Sequence, residues 1–144
     1  MNPKFTYDRN DARNALALGK LERAAMNALW DNGEMSGSEL YKKLGEKLRI
    51  RHNTLLTVLE RLIEKGLVIK HKAGKNNFFK PVLSRDEYCS KIAAPILKEL
   101  LDISSKSVLS AFVDSACRDM EKLEELKNLI ENMKKKVLSN KSNR

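Results

Sequence analysis

Apolar residues recur at helical spacing through the first half of the chain and predict its first two helices. The first helix begins near Leu18 and ends at the Asp31-Asn32-Gly33 turn, where glycine suits a left-handed C-terminal position. Ser36 and Glu39 have the spacing of a capping box, so a second helix should begin near Gly37. The apolar faces of these helices are formed by Leu18, Leu21, Ala25, Met26, Leu29, Trp30, Leu40, Tyr41, Leu44 and Leu48.

A third helix is predicted from Asn53 to Lys65, with Gly66 at its end. The segment Gly45–Asn53 before it is expected to be a turn in which Ile50 is anchored in the core. The buried stripe of the third helix is expected to consist of Leu55, Val58, Leu59, Leu62 and Ile63.

Two β-rich runs follow the third helix and predict an antiparallel hairpin. The runs are Leu67–Lys72 and Phe78–Val82, and the polar segment Ala73–Asn77 between them predicts a loop of five residues. Pro81 has no N–H group, so it should lie where the ribbon ends or on its open edge. Three helices followed by a hairpin predict a winged helix-turn-helix, a mainly α fold with a small β-hairpin wing.

The second half of the chain is predicted to consist of helices. Ser84 and Glu87 form a second capping box that opens a fourth helix, and Pro95 should kink or split it. A short helix is expected over Ser104–Cys117, and a final helix over Asp119–Leu138. Their main apolar positions are Val108, Leu109, Phe112, Val113, Leu123, Leu126, Ile130, Met133 and Val137.

These apolar faces predict a helical dimerisation arm. The last helix has a heptad-like seam, and a segment of this length with almost no aromatic residues makes a poor core by itself. Two copies that interlock would bury the seam in an interface on the order of 2,000 Å². The alternative is that these helices fold back on the first half of their own chain.

The pattern divides the chain into an N-terminal tail (1–17), a winged helix-turn-helix domain (18–83) and a helical dimerisation domain (84–144). The tail has no hydrophobic signal region, and no apolar run reaches the ~18 residues of a membrane helix, so a cytoplasmic protein without membrane insertion is expected. Cys89 and Cys117 lie far apart outside any metal-binding motif, so no metal and no cofactor are expected.

The positive charge is concentrated in the winged-helix segment. The chain carries a net charge of +9, and its isoelectric point near 9.6 suggests an anionic partner. The segment Lys42–Lys80 contains eleven Lys or Arg against three Glu, so it carries +8 of that charge. Because this segment includes the third helix and the hairpin, double-stranded DNA is the predicted partner.

Two groups of residues are candidates for DNA contact. The third helix is the expected recognition helix, because its polar face can read base edges and its N-terminus favours phosphate. The wing and the second helix are expected to contact the backbone. The recognition candidates are Arg51, His52, Asn53, Thr54, Thr57 and Arg61, and the backbone candidates are Lys42, Lys43, Lys72, Lys75 and Asn76.

Structural roles remain open for some of these candidates. Asn53 or Thr54 would also serve as the N-cap of the third helix. Arg61 would also pair with Glu60 or Glu64 on the surface. The hairpin tip would also be consistent with a plain solvated loop.

Other functions have weaker support. An enzyme is not expected, because the chain has only two histidines, no clustered carboxylates and no glycine-rich phosphate loop. A winged-helix protein-interaction module and a small-molecule-responsive regulator of another family are alternatives.

Three segments resemble the penicillinase-repressor family of the BlaI/MecI/CopY type. They are Leu21–Trp30, Asn53–Val68 and Phe79–Tyr88, and their order and spacing match the family over roughly 18–135. The long run with the pattern T-x-x-T-V-L-x-R-L-x-x-K-G-L-V is more specific than the leucines of a generic winged helix.

The resemblance implies a homodimeric repressor that binds an inverted-repeat operator, of β-lactam-resistance or related genes. In β-lactam-responsive members, a membrane sensor-protease system leads to cleavage of the repressor in the dimerisation region. The counterpart here is the bond between Ala111 and Phe112, where the β-lactam repressors have Asn in place of Ala111. The paired C-x-C motifs of the copper-sensing branch do not occur in this chain, so copper sensing is not expected.

Overall fold

The computed structural model describes residues 16–116 and 118–143, so all but the last two residues of the predicted tail lie outside it. Cys117 also lies outside the described residues. In chain order the elements are α1 (Lys20–Asn32), β1 (Met35–Ser36), α2 (Gly37–Leu48), α3 (His52–Glu64), β2 (Val68–Ala73), β3 (Asn76–Pro81), α4 (Arg85–Ala116) and α5 (Met120–Ser142).

The first three helices and the sheet surround one apolar core. The predicted stripes supply it, because leucines spaced three or four residues apart lie on one face of a helix. Tyr41, Leu48, Ile50 and Ile63 are only partly buried and pack against this core. The largest fully buried side chains are Met26, Leu29, Leu40, Leu55, Leu59, Leu62, Leu67 and Val68.

Local signals at the helix ends predict the structure correctly. Gly33 and Gly66 follow α1 and α3 with φ of 76° and 75°, which a residue with a Cβ rarely adopts. The first capping box is present: the Glu39 N–H donates to Ser36 Oγ at 3.2 Å, and the Ser36 N–H donates to Glu39 Oε2 at 2.8 Å. The second capping box, Ser84 with Glu87, is also present at the start of α4.

The predicted turn over Gly45–Asn53 is too long. The second helix continues to Leu48, and α3 already begins at His52. Arg49 makes the turn with a left-handed φ of 52°. Gly45 lies inside α2, where a Cβ would lie 2.8 Å from the Tyr41 ring, so glycine leaves room for that ring.

The wing is a three-stranded antiparallel sheet in the order β1-β3-β2, whereas the sequence predicted two strands. Met35 pairs with Phe79, and Ser36 pairs with Phe78. The hairpin loop is also shorter than the predicted five residues, because Ala73 pairs with Asn76 and leaves two residues in the turn. The first of these is a glycine with φ of 65°, as a tight type II′ turn requires. Strand β3 ends at Pro81, which was predicted to lie at the end or on the open edge of the ribbon.

The helical second half differs from the prediction in one place. Pro95 lies inside α4 and does not split the helix, since its φ and ψ are not among the non-helical angles of α4. The interruption lies at Ser104, with φ −155° and ψ 92°, where the next short helix was predicted to begin. Asp119 caps α5 by accepting the Lys122 N–H at 2.8 Å.

The chain forms two compact units that divide between Ile96 and Leu97. The first unit contains the winged helix. The second contains the end of α4 and all of α5. None of the helices in the described ranges is long and apolar enough to cross a membrane.

Candidate nucleic-acid interface

The outward face of α3 consists of the predicted recognition residues. The side chains of Arg51, His52, Asn53, Thr54, Thr57 and Arg61 are all exposed, while the leucine stripe on the opposite face is buried. This division leaves the polar face of α3 available to a partner.

The N-terminus of α3 has no side-chain cap. Arg51 is the N-cap residue, and its side chain accepts no hydrogen bond from the first turn. The alternative role of Asn53 or Thr54 as the cap is therefore wrong. The Thr57 hydroxyl donates to the Asn53 carbonyl at 3.0 Å. The N–H groups of the first turn have no side-chain partner here, and they carry the partial positive charge of a helix N-terminus.

A cleft of about 230 Å³ joins the recognition helix to the wing. His52 and Leu56 of α3 line it together with Lys75 and Asn76 of the wing tip. The start of α2 and the ring of Phe79 complete the lining. The structure therefore brings together candidates from the helix and from the hairpin.

Leu56 is a member of this cleft that the sequence prediction missed. It lies beside the buried stripe of α3 and is 36% exposed. The signal that could have found it is an apolar residue outside the 3–4 spacing of an otherwise polar helix face.

The two lysines of α2 lie in different surroundings. Lys42 lies near the start of α3, where it shares a surface depression with Tyr41 and His52. The Tyr41 and His52 rings pack edge to face, with centroids 5.2 Å apart. Lys43 instead donates to Asn32 Oδ1 at 3.3 Å, at the end of α1. The structure groups Lys42 with the recognition helix, and it places Lys43 against the first helix.

Surface contacts connect strand β2 of the wing to α3, to the segment before β1 and to β3. Lys70 of β2 pairs with Glu60 of α3 at 3.2 Å. His71 Nδ1 lies 2.8 Å from a carboxylate oxygen of Glu34, and its imidazole stacks on Phe78 with centroids 5.7 Å apart. The candidates Lys72 and Lys75 are exposed near and at the tip of the hairpin.

Two further cations of the basic segment have different surroundings. Lys65 is held by Glu22 of α1 and by the Ala17 carbonyl, so its charge is used within the fold. Arg61 has no ion pair with any residue in the described ranges; its predicted alternative partner Glu60 is paired with Lys70.

Trp30 lies at the junction of α1 and the start of α4 and is only partly buried. Its Nε1–H donates to the Leu83 carbonyl at 2.9 Å, and the Arg85 guanidinium lies 5.5 Å from its ring centroid. The Tyr88 ring lies 5.4 Å away, and the Tyr88 hydroxyl donates to the Leu16 carbonyl at 2.8 Å. Burial raises the pKa of Tyr88, with the neighbouring Cys89 and Glu22 adding to the effect.

The predicted dimerisation residues lie on the surface of the second half. None of the residues of α4 and α5, all of which the structure describes, is buried. Phe112 is 44% exposed and Met133 is 57% exposed. Ala111, which precedes Phe112 at the candidate cleavage bond, lies on helix α4 and is exposed. Leu109, Val113, Leu123 and Ile130 are exposed as well, whereas Val108 and Leu126 are partly buried.

Metal-ligating clusters do not occur among the residues that the structure describes: no group of three His, Cys, Asp or Glu is placed to hold an ion. Cys89 is a free, exposed thiol. The candidate residues of α3 and the wing are mainly cations, amides and hydroxyls, a set suited to binding a polyanion.

The chain is similar to known transcriptional regulators. The transcriptional regulator BlaI of Mycobacterium tuberculosis is 31% identical over 104 residues, which cover 71% of this chain and 75% of that protein. The penicillinase repressor of Staphylococcus aureus is 22% identical over 125 residues, covering 87% and 99% of the two chains. The solved complex structure of hsRosR-S4 superposes with a TM-score of 0.50 at 18% identity, covering 88% of this chain and 99% of that chain, which shows a shared fold.

The sequence profile of the penicillinase repressor family matches residues 18–132, which include the winged helix and most of the C-terminal helices. This match extends over most of the chain, and the predicted resemblance is therefore confirmed. The chain belongs to the penicillinase repressor family, the BlaI/MecI family of transcriptional regulators.

Proposed function

We propose that this protein is a sequence-specific DNA-binding transcriptional repressor that acts as a homodimer on an inverted-repeat operator. The observation that carries the proposal is the cleft in which the exposed face of α3 meets the wing tip. His52 from the helix and Lys75 and Asn76 from the wing line it together. A helix in the major groove and a wing beside it would contact one stretch of duplex.

The two parts of this surface have different roles in the proposal. Arg51, Asn53, Thr54 and Thr57 read base edges, since arginine suits guanine, asparagine suits adenine and the threonine methyl suits thymine. Lys42, Lys72 and Lys75 hold phosphates, which supply affinity without sequence information. The uncapped N-terminus of α3 offers further N–H donors to a phosphate.

The homodimer is supported by the apolar side chains of the second half. Phe112 and Met133 are each about half exposed, and neither α4 nor α5 has a buried residue. Many exposed apolar side chains on two neighbouring helices in the sequence are typical of a protein interface. A second copy of the same chain would cover it symmetrically, and a two-fold dimer reads two half-sites in opposite orientation.

Proteolysis in the arm is the proposed route of inactivation, and genes of β-lactam resistance are the proposed targets. Cleavage between Ala111 and Phe112 would separate α5 from the DNA-binding half. Each half-site would then be bound singly, and the advantage of linked sites would be lost. Because both residues lie on a helix, that helix must open before a protease can cut the bond.

DNA footprinting with the full chain tests the proposal. The chain should protect an inverted repeat selected from a random library. Arg51→Ala should lose preference for one base position, whereas Lys75→Ala should weaken binding to all sequences alike. A chain that selects no sequence, or that sediments as a monomer at micromolar concentration, would contradict the proposal. For the inactivation step, relief of repression in cells with the chain still intact would contradict cleavage.

A further inference from the structure

Leu56 is an apolar side chain that α3 presents to solvent between polar neighbours. The helix buries Leu55, Val58, Leu59 and Leu62, but Leu56 is 36% exposed and lines the cleft toward the wing. A single exposed leucine needs no explanation in general. Its surroundings therefore decide whether it has a role.

The surroundings of Leu56 are polar and basic on both sides. His52 lies one turn earlier on α3, and helical side chains lean toward the N-terminus, so Leu56 covers the surface near His52 and Asn53. Lys75 and Asn76 of the wing tip line the same cleft. Phe79 also lines the cleft, but it is only 2% exposed and belongs to the core. A ligand that enters would meet the Leu56 methyl groups between hydrogen-bonding groups and a cation.

Duplex DNA offers one chemical match to this arrangement. In the major groove, the apolar group on a base edge is the C5 methyl of thymine, and it lies beside an acceptor oxygen. We infer that Leu56 determines specificity by packing against the C5 methyl of a thymine in the operator. This inference rests on the proposed DNA-binding function and adds a base identity to it.

The neighbouring Asn53 supports the same kind of base pair. It lies three residues before Leu56 on the exposed side of α3, so the two side chains are neighbours on the helix surface. Asparagine pairs with the N6 and N7 groups of adenine. Leu56 and Asn53 together therefore favour adenine–thymine pairs at the centre of the helix contact.

Replacing thymine with uracil tests the inference, because it removes the C5 methyl and leaves the Watson–Crick pairing intact. The full chain first selects a duplex from a random library, and each thymine of that duplex is then replaced singly. At one thymine of each half-site, the replacement should raise Kd for the wild-type chain about fourfold, the value expected for about 0.8 kcal/mol per buried carbon group. The same replacement should leave Kd of Leu56→Ala unchanged.

Two further variants separate this contact from a general effect. Leu56→Met keeps an apolar side chain and should retain sensitivity to the methyl group. Val82→Ala removes an exposed aliphatic side chain at the base of the wing, outside the cleft, and should also retain it. Circular dichroism checks that every variant is folded.

The outcomes of this experiment distinguish failure of the Leu56–thymine contact from failure of the proposed repressor function. Wild-type binding that is insensitive to uracil at every thymine would overturn the contact. So would a Leu56→Ala variant that keeps its methyl sensitivity at every thymine to which the wild-type chain responds. Both results leave the proposed repressor function standing. A chain that selects no duplex at all would overturn the proposed function together with the contact.

Discussion

Glu22 is a carboxylate that the fold removes from solvent, and a buried charge is costly unless it is paired. It is 9% exposed, and its partner is Lys65 at the end of the recognition helix. The pair connects α1 to the C-terminal end of α3. One lysine of the basic segment thus serves the internal structure, although its sequence context does not distinguish it from its neighbours.

Removing this carboxylate should destabilise the first unit. Glu22→Gln leaves the partly buried Lys65 ammonium bonded to the Ala17 carbonyl but without a counter-charge, so the free energy of unfolding should fall by about 1–3 kcal/mol. Glu60→Gln is the matched control, because its pair with Lys70 is exposed on both sides and should contribute less than about 1 kcal/mol. Urea denaturation of both variants measures the difference. Equal losses would show that burial does not strengthen the first pair.

Tyr88 should make stability depend on pH above the neutral range. Its pKa in the folded chain is raised from 10.0, mainly by burial, so the folded state holds the phenol proton more tightly than the unfolded state. The contribution of Tyr88 to folding stability is complete below the unfolded pKa of 10.0. It falls as the pH rises through the higher pKa of the folded state. Tyr88→Phe should be less stable at pH 8, because it lacks the bond to the Leu16 carbonyl.

At alkaline pH, the prediction concerns the difference in stability between wild type and Tyr88→Phe as the pH rises. Between pH 8 and 10.5, wild type should lose more stability than Tyr88→Phe, while lysine titration is common to both. Thermal unfolding at several pH values measures both curves. Parallel curves would mean that the phenol does not titrate differently in the two states.

At the scale of elements, the helices could be predicted where short-range chemistry defines them. Ser36 with Glu39 begins α2, and Gly66 ends α3, because capping and left-handed φ depend on a few adjacent residues. The outward face of α3 could also be predicted from local spacing. A stripe of leucines on one side leaves polar residues on the other.

The elements that the sequence did not predict depend on residues distant along the chain. Strand β1 has two residues, Met35 and Ser36, too few to show a period, and it exists because Phe78 and Phe79 pair with it. Breaks were expected at Pro95 and before Ser104, but only Ser104 departs from helical geometry. Lys43 bonds to Asn32 because the end of α1 lies beside α2, while Lys42 faces α3. The local sequence around the two lysines does not predict this difference.

Gly45 offers a test of how α2 packs. Alanine favours a helix by about 1 kcal/mol relative to glycine. Its Cβ, however, would lie 2.8 Å from the Tyr41 ring, so Gly45→Ala should destabilise wild type by about 1–3 kcal/mol. In a Tyr41→Ala background the ring is absent, and the same substitution should stabilise by up to about 1 kcal/mol. A double-mutant cycle measures the coupling; additive effects would contradict the packing role.

At the scale of the whole molecule, the basic segment predicts how binding should respond to salt. A dimer that neutralises about eight to ten phosphates should show log K falling with log salt at a slope of about −7 to −9. Lys75→Ala removes one phosphate contact from each protomer, so the slope should become shallower by about two. Fluorescence anisotropy on the selected duplex measures it.

The control for this measurement is Lys127→Ala, which changes the net charge equally at an exposed position of α5. Its slope should equal that of wild type. A wild-type slope near zero would contradict DNA binding by the basic segment. Equal shifts in the two variants would mean that overall charge, rather than contact by the wing, sets the response.

Ser36 lies in strand β1 and is also the N-cap of α2, so it couples the wing to that helix. Its backbone pairs with Phe78 of the sheet, while its hydroxyl and N–H close the capping box of α2. Pulling the wing away would therefore uncap the helix that supports the recognition helix. The hairpin and α2 should accordingly open as one cooperative unit in amide hydrogen exchange, with similar protection factors. A displacement of the wing tip by DNA would therefore be passed through Ser36 to α2 and from there to the recognition helix α3.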